Sequence, residues 1–415
     1  MTTSVAANVD GAELWQDLET LRRFGAREDG GVARLALSNS DVEARLWLAS
    51  AGHSLNCNVS MDDAGNLFLR HEGTDPEADP VVLGSHMDSQ PTGGAYDGAY
   101  GVLASLQALR AIQRSEIALR RPIEVVSWTN EEGVRYTPGC TGAACFTGEL
   151  ALETAYAKLD DEGVSFGDAM EHCRTVVNSA GVRWSPLRRA FHAFLEPHIE
   201  QGPVLEANGA SIGVVTGIQG VSWFDVEITG RAAHAGTTPR ARRYDALEGA
   251  VYLANEMRDL CRDSADMMRF TIGRFAVSPG SVNTVPEAAR FSIDLRHPDV
   301  AELAQVRNQF EGLAKKTWRG CDAKLRTLSE VDPVVFPGWV IDAVAEAADK
   351  DDARSLRMPS GAFHDALHLA RHCATGMLFI PCRDGISHHP DEAILQEHAA
   401  AGARALANAA VELAG

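Results

Sequence analysis

The 415-residue sequence predicts an α/β protein in which a smaller domain interrupts a larger one. Three observations carry that fold class. Residues 81–84 and 123–128 are short, almost wholly apolar runs, the pattern of parallel strands buried on both faces. Between them, 100–114 (YGVLASLQALRAIQR) places apolar residues at helical spacing, so strand, helix and strand make a βαβ unit. From about 212 to 330 the pattern changes to alternating strands, the signature of a sheet with one wet face.

Taken in order, residues 10–50 read as a helix, a turn-rich piece and a second helix. Ser40 or Asp41 is placed to cap the second helix ahead of Val42, Leu46 and Leu48. The strands at 81–84 and 123–128 flank the 100–114 helix, and 191–195 is a further apolar run. Residues 221–229 alternate as a strand, 245–260 read as helix, and 269–277 and 289–296 alternate again across the turn-rich SPGSVNTVPE. A helix at 300–316 and a strand at 323–328 complete a β-α-β-β-α-β order, the split βαβ or ferredoxin-like pattern. Apolar helix and strand then return at 339–348 and 377–380. The expected domains are therefore 1–211 with 331–415, and 212–330 as the insert.

The formal charge of −19 argues against nucleic acid or an anionic membrane surface as a partner. No apolar run reaches the roughly 20 residues of a membrane span. The eight cysteines are scattered without a CxxC pair, which points to a reduced, cytoplasmic compartment. The opening MTTSVAANVDGAELW has no basic segment followed by an apolar one, so no secretory signal is expected.

Chemistry gathers where apolar runs meet glycine-rich or polar sequence. GSHMDSQPTGGAYDG carries His86, Asp88 and Asp97; TNEEG carries Glu131 and Glu132; EPHIEQG carries His198; ISHHP carries His388 and His389. In open α/β sheets functional groups collect at the carboxyl ends of strands, so segments distant in sequence reach one rim. Imidazole and carboxylate together suit zinc, manganese, cobalt or nickel. Two such cations need a bridging carboxylate, and Asp97, flanked by glycines at 93, 94 and 98, is the natural one. Asp88 is expected to orient an imidazole through a hydrogen bond. Of the adjacent Glu131 and Glu132, one can ligate while the other moves protons. One such residue would ordinarily be a satisfied loop group; five at five strand ends point to a site.

These motifs, with AAHAGTTP, NTVPE, the Asp294-Leu295-Arg296 triplet and SGAFHDA, resemble the zinc-dependent amidases of the hydantoinase/carbamoylase family, relatives of the aminoacylases and di-zinc exopeptidases. The resemblance runs from about residue 15 to 410. It implies a di-metal exopeptidase-like catalytic domain with an inserted lid and dimerisation domain, and two divalent ions per subunit. His86, Asp97, Glu132, His198 and His388 would be ligands, with Asp97 bridging and Glu131 as general base. His388 is preferred to His389 because the family pattern is Ser-His, one variable residue, then Pro. It further implies His234 as the group supporting an oxyanion, reaching in from the partner subunit of a homodimer. Asn283 and Arg296 would hold a substrate carboxylate, and Gln201 would contact a ureido group. Arg240 and Phe363 depart from the family pattern, which leaves the substrate open. His364 and Asp365 would orient a ligand, close the pocket, or pack beneath it.

The implied activity is hydrolysis of the carbamoyl C–N bond of N-carbamoyl-amino acids, giving amino acid, ammonia and carbon dioxide. Allantoate or ureidoglycolate amidohydrolysis, and N-acyl-amino acid or peptide hydrolysis, are alternatives within the same chemistry. A non-enzymatic metal- or ligand-binding protein is the third reading, against which Glu131 stands, since a silent relative could keep ligands and lose the base.

Overall fold

The computed structural model describes residues 5–351 and 353–415; the first four residues of the segment read for a secretory signal lie outside the described ones. The chain forms two compact units, Met1–Thr216 with Phe336–Gly415, and Gly217–Val335. These boundaries fall about five residues beyond the expected 212 and 330. The reason is strand pairing. Gly213, Val214 and Val215 pair with Ala374–Ile380 of the large sheet, while Cys321–Val331 stays paired with Gly220–Thr229 to its last residue.

In the larger unit four strands run parallel. Val81–His86 lies between Ile123–Trp128 and Ala193–Ile199, in register Val81↔Ile123 and Val81↔Ala193. Ala374–Ile380 pairs on the far side of Ala193–Ile199. All their residues except Ala374 are buried, which is why the sequence shows unbroken apolar runs. Two buried carboxylates on these strands have partners. Glu124 is held by Arg70 and Arg189, and Glu196 accepts from the Ser85 hydroxyl (2.8 Å) and the Ala366 amide (2.7 Å). Antiparallel strands extend the sheet: Leu67–His71 then Asn58–Met61 at one side, Ile212–Ile218 at the other.

The helix expected at 100–114 spans Ala99–Ser115 and is buried over most of its length. The second N-terminal helix spans Asn39–Ser54, and its cap is Ser38 rather than Ser40 or Asp41. Asp41 sits inside the first turn, fully buried, where it pairs with Arg45 at 2.8 Å. The same oxygen also accepts from the Leu37 amide at 2.8 Å, so the carboxylate is engaged away from the helix's own first amides. Among the described residues no helix is long and apolar enough to cross a membrane.

The smaller unit runs strand Gly220–Thr229, helix Ala246–Leu260, strands Arg269–Thr271 and Phe275–Ser278, strand Ala288–His297, helix Val300–Ala314 and strand Cys321–Val331. Gly220–Thr229 lies antiparallel between Ala288–His297 and Cys321–Val331. Asp245 and Asp299 cap the two helices, each accepting from two backbone amides. Phe224, Val226, Ile228, Phe291, Ile293 and Leu295 form the buried face together with Leu253, Met257 and Phe310 of the helices. The strand expected at 269–277 is broken. Thr271 pairs with Asp294 and Phe275 with Phe291, so four steps on one strand oppose three on the other. The extra residue is accommodated as a bulge around Gly273.

Candidate metal centre

Five segments of the larger unit meet at the carboxyl ends of its parallel strands. His86 is the last residue of its strand, and Glu131 and Glu132 follow Trp128. His198 lies within Ala193–Ile199, and His388 is in the loop after Ile380. Asp97 immediately precedes Gly98, where the long helix begins with φ of 61°. A Cβ at Gly98 would fall 2.4 Å from the His86 ring, so the turn is closed to other residues both by backbone and by space.

The two oxygens of Asp97 face different partners. Oδ1 is 3.1 Å from His198 Nε2 and 3.6 Å from His86 Nε2. Oδ2 is 3.3 Å from His388 Nε2, which is itself 3.6 Å from Glu132 Oε2. Two candidate metal-holding groups result, His86–Asp97–His198 and Asp97–Glu132–His388, and Asp97 belongs to both. Glu131 belongs to neither; its Oε2 lies 3.5 Å from His86 Nε2.

Hydrogen bonding fixes two of the imidazoles for ligation. His86 Nδ1 bonds the Asp88 carbonyl and His198 Nδ1 the Ile199 carbonyl, both at 2.9 Å. Each Nδ1 is therefore the donor, and each Nε2 turns a lone pair to the cluster. His198 Nε2 accepts from the Gly98 amide at 3.1 Å. His86 Nε2 and Glu132 Oε1 are buried with no hydrogen-bonding partner among the described residues. Such orphaned acceptors, within a set of imidazoles and carboxylates, fit a bound divalent cation.

Asp88 acts differently from the expectation. Its main-chain carbonyl orients His86, while its carboxylate stands 3.8 Å from that ring. The carboxylate instead accepts from the amides of Glu131 and Glu132, both at 3.2 Å. The geometric cause is reach: two residues after His86 the backbone already passes the ring, leaving the side chain to hold the next loop.

The electrostatics follow from crowding four carboxylates in a buried space. Burial, with the neighbouring Glu132, Asp97 and Asp88 charges, pushes Glu131 up to about 8 against the opposing pull of His86. Burial and Asp97 push Glu132 up to about 7. The hydrogen bond with Asp97 raises His388 to about 9. Burial opposes ionisation of Asp97 itself, but the imidazoles of His198, His388 and His86 gathered around its two oxygens outweigh it and hold its carboxyl well below the usual range.

Gln201 donates to Asp97 Oδ2 at 2.8 Å from a left-handed backbone position (φ 56°), so the structure brings it to the cluster. His234, Asn283 and Arg296 lie in the smaller unit. His234 Nδ1 accepts from the amides of Gly236 (3.1 Å) and Thr237 (3.2 Å), which leaves Nε2 carrying the proton as an outward donor. Asn283 is adjacent, its carbonyl accepting from the Ala235 amide at 2.9 Å. Arg296 is held by Asp294 through Nε and Nη2, both at 2.9 Å, and Trp223 Nε1 donates to the same carboxylate. His364 stacks edge-on against His198 at 4.5 Å between ring centroids, with Nε2 on the Ser360 hydroxyl.

Sequence reasoning missed Gln90, Ser387 and Glu392. Gln90 donates to Glu132 Oε2 at 2.6 Å. Ser387 donates to Asp97 Oδ2 (2.9 Å) and faces Glu392 Oε2 (3.1 Å). Glu392 accepts from the amides of Tyr96 and Asp97. The signal available for the last two was their place in ISHHPDE, beside His388.

Residues 82–412 match the family model described as Peptidase family M20/M25/M40. An N-carbamoyl-L-amino-acid amidohydrolase from Rhizobium meliloti is 37% identical, over 98% of this chain and 97% of its own length. An allantoate amidohydrolase from Bacillus subtilis is 34% identical, over 96% of each chain. The crystal structure of an amidase of the hydantoinase/carbamoylase family from Burkholderia multivorans superposes with a TM-score of 0.91 at 40% identity, covering 98% of both chains.

Proposed function

Because this chain belongs to the M20/M25/M40 peptidase family, and within it to the hydantoinase/carbamoylase amidases, we propose that it is an amidohydrolase cleaving the carbamoyl C–N bond of N-carbamoyl-L-amino acids. The products are the amino acid, ammonia and carbon dioxide. The observation that carries the reading is that Asp97 is shared by two ligand groups while Glu131 is left out of both.

In this reading His86, His198 and Asp97 hold one divalent ion, and Asp97, Glu132 and His388 the other. When bound, such ions supply Lewis acidity that polarises a carbonyl and acidifies water. Glu131 is the proton carrier. A carboxyl whose pKa is raised toward neutrality can both take a proton from water and return it to the leaving nitrogen. Gln201, anchored on Asp97, is read as the contact to the ureido group. His234 presents an Nε2 proton to the developing oxyanion, and Asn283 with Arg296 holds the substrate carboxylate, guanidinium being its best bidentate partner. The smaller unit is read as a ferredoxin-like lid through which two copies pair, so that His234 serves the partner's site. Eight cysteines without a disulfide among the described residues support a cytoplasmic setting.

A second reading, hydrolysis of the ureides allantoate or ureidoglycolate, is favoured by the similarity to the Bacillus subtilis enzyme. Ammonia release decides between them, measured on metal-reconstituted protein with N-carbamoyl-L-amino acids, N-carbamoyl-β-alanine and allantoate in parallel. Release from the N-carbamoyl-L-amino acids is expected; release from allantoate alone would establish the second reading instead.

A further inference from the structure

Asp97 is pinned from a loop almost three hundred residues away. The amides of Tyr96 and Asp97 both donate to Glu392 Oε1, at 2.9 and 3.0 Å. The other oxygen of Glu392 lies 3.1 Å from the Ser387 hydroxyl, which also reaches Asp97 Oδ2 at 2.9 Å. Asp97 and Glu392 are buried, 6% and 5% exposed. The approach is so close that a Cβ at Gly94 would fall 2.2 Å from the Glu392 carboxyl. Glu392 also closes its own loop, its amide donating to the His389 carbonyl at 3.0 Å.

The two ligand groups depend on this staple unequally. His86 and His198 sit on strands, with each Nδ1 tied to a backbone carbonyl. His388 sits in the loop that carries Ser387 and Glu392, in a left-handed conformation (φ 55°), and its ring is half exposed. What fixes the separation of His388 from Asp97 is therefore the Glu392–Ser387 bridge between their loops.

We propose that Glu392 and Ser387 are positioning residues that join the Asp97 and His388 loops and so set the affinity of the second cation site, Asp97–Glu132–His388, more than that of the first. The inference rests on the binuclear reading above. It makes neither residue a ligand, and it makes geometry rather than the charge of Glu392 the operative property. Glutamine at 392 keeps an oxygen to accept both amides and an N–H to meet the Ser387 oxygen, leaving that hydroxyl to donate to Asp97.

The test is calorimetric titration of metal-free, full-length protein with Mn2+, together with the melting temperature of each metal-free variant. Wild type is expected to take up two ions. Glu392→Ala is expected to bind the first as wild type does and the second roughly ten- to hundred-fold more weakly, the usual effect of removing a group that holds a ligand in place. Glu392→Gln is expected to bind both normally. Ser387→Ala is expected to weaken the second ion alone, and it decides the matter if Glu392→Ala does not fold. Excess Mn2+ is expected to restore turnover in the weakened variants, which damage to the fold would not allow. Unchanged second-ion binding in the alanine variants overturns the inference while leaving the binuclear reading intact. So does equal loss of both ions with a lowered metal-free melting temperature, or a glutamine variant as weak as alanine. A wild type that binds one ion overturns both.

Discussion

At the scale of single residues, Glu131 and Glu132 are placed for different work. Glu132 lies within a ligand group and Glu131 outside both, although the two are neighbours in sequence. Glu131→Gln is expected to keep its metal content by elemental analysis and to lose turnover by roughly 10²–10⁴-fold, the range of a general base. Retained turnover would end the assigned mechanism. The same crowding makes the metal-free protein sensitive to pH. Glu131 and Glu132 are raised to about 8 and about 7, so the folded chain binds their protons more tightly than the unfolded chain does. Their contribution is present below about 4.5 and is lost as pH rises through 7 and 8. His388, raised to about 9, contributes fully below its ordinary 6.5 and loses that contribution as pH rises through 9. All three shifts have the same sign, so the melting temperature of chelator-treated protein should fall from pH 5 to pH 9, and added divalent cation should recover most at the alkaline end. Residue types at this site were legible because imidazoles and carboxylates recurred after apolar runs. The roles of Asp88 and Glu392 were not, because a hydrogen bond to a distant backbone amide leaves no spacing in the sequence.

At the scale of elements, the site is made by how strands end and helices begin. Gly98 is where the helix Ala99–Ser115 starts, in a conformation that carries Asp97 against His86. Gly98→Ala should destabilise the metal-free protein by about 1–3 kcal/mol from backbone strain alone, and should cost metal binding as well, since the new methyl group meets an imidazole. Thermal unfolding and metal content would check the two effects separately. In the smaller unit, Arg243 donates to the carbonyls of Ala235 (2.5 Å) and Thr238 (3.0 Å), closing the turn that presents His234. With His234 in its proposed role, Arg243→Ala should lower kcat by up to roughly 10²-fold through its misplacement, with metal content unchanged. Unbroken apolar runs made the strands at 81 and 123 readable. The strands Asn58–Met61 and Leu67–His71 were not read, being four and five residues long and mixed in polarity. Nor was the final helix, Gln396–Ala414, whose alanines give a weak periodic signal although they are buried. The strand expected at 269–277 failed at a bulge, which is a property of pairing and not of one strand's own sequence.

At the scale of the whole molecule, the interrupted order of the chain was legible because the alternating strands of 217–335 differ so plainly from the buried runs around them. Their boundaries were not, since a strand's allegiance is set by its neighbour. If the active unit is a dimer sharing His234, mixing Glu131→Gln with His234→Ala protein should restore activity in about the proportion of mixed dimers; no recovery after subunit exchange would place His234 within its own chain. The strand order has another consequence. Ala374–Ile380 lies between Ala193–Ile199 and Ile212–Ile218, so a segment made after the whole of Gly217–Val335 fills the gap between two made before it. A growing chain released from the ribosome one residue at a time can finish Gly217–Val335, which is contiguous, long before it can finish the unit around it. Until residue 380 emerges, two strand edges stand open, and until 388 emerges the proposed ligand set is short of a histidine. Chains that stop short of residue 380 are therefore expected to leave those edges open to pairing with other chains.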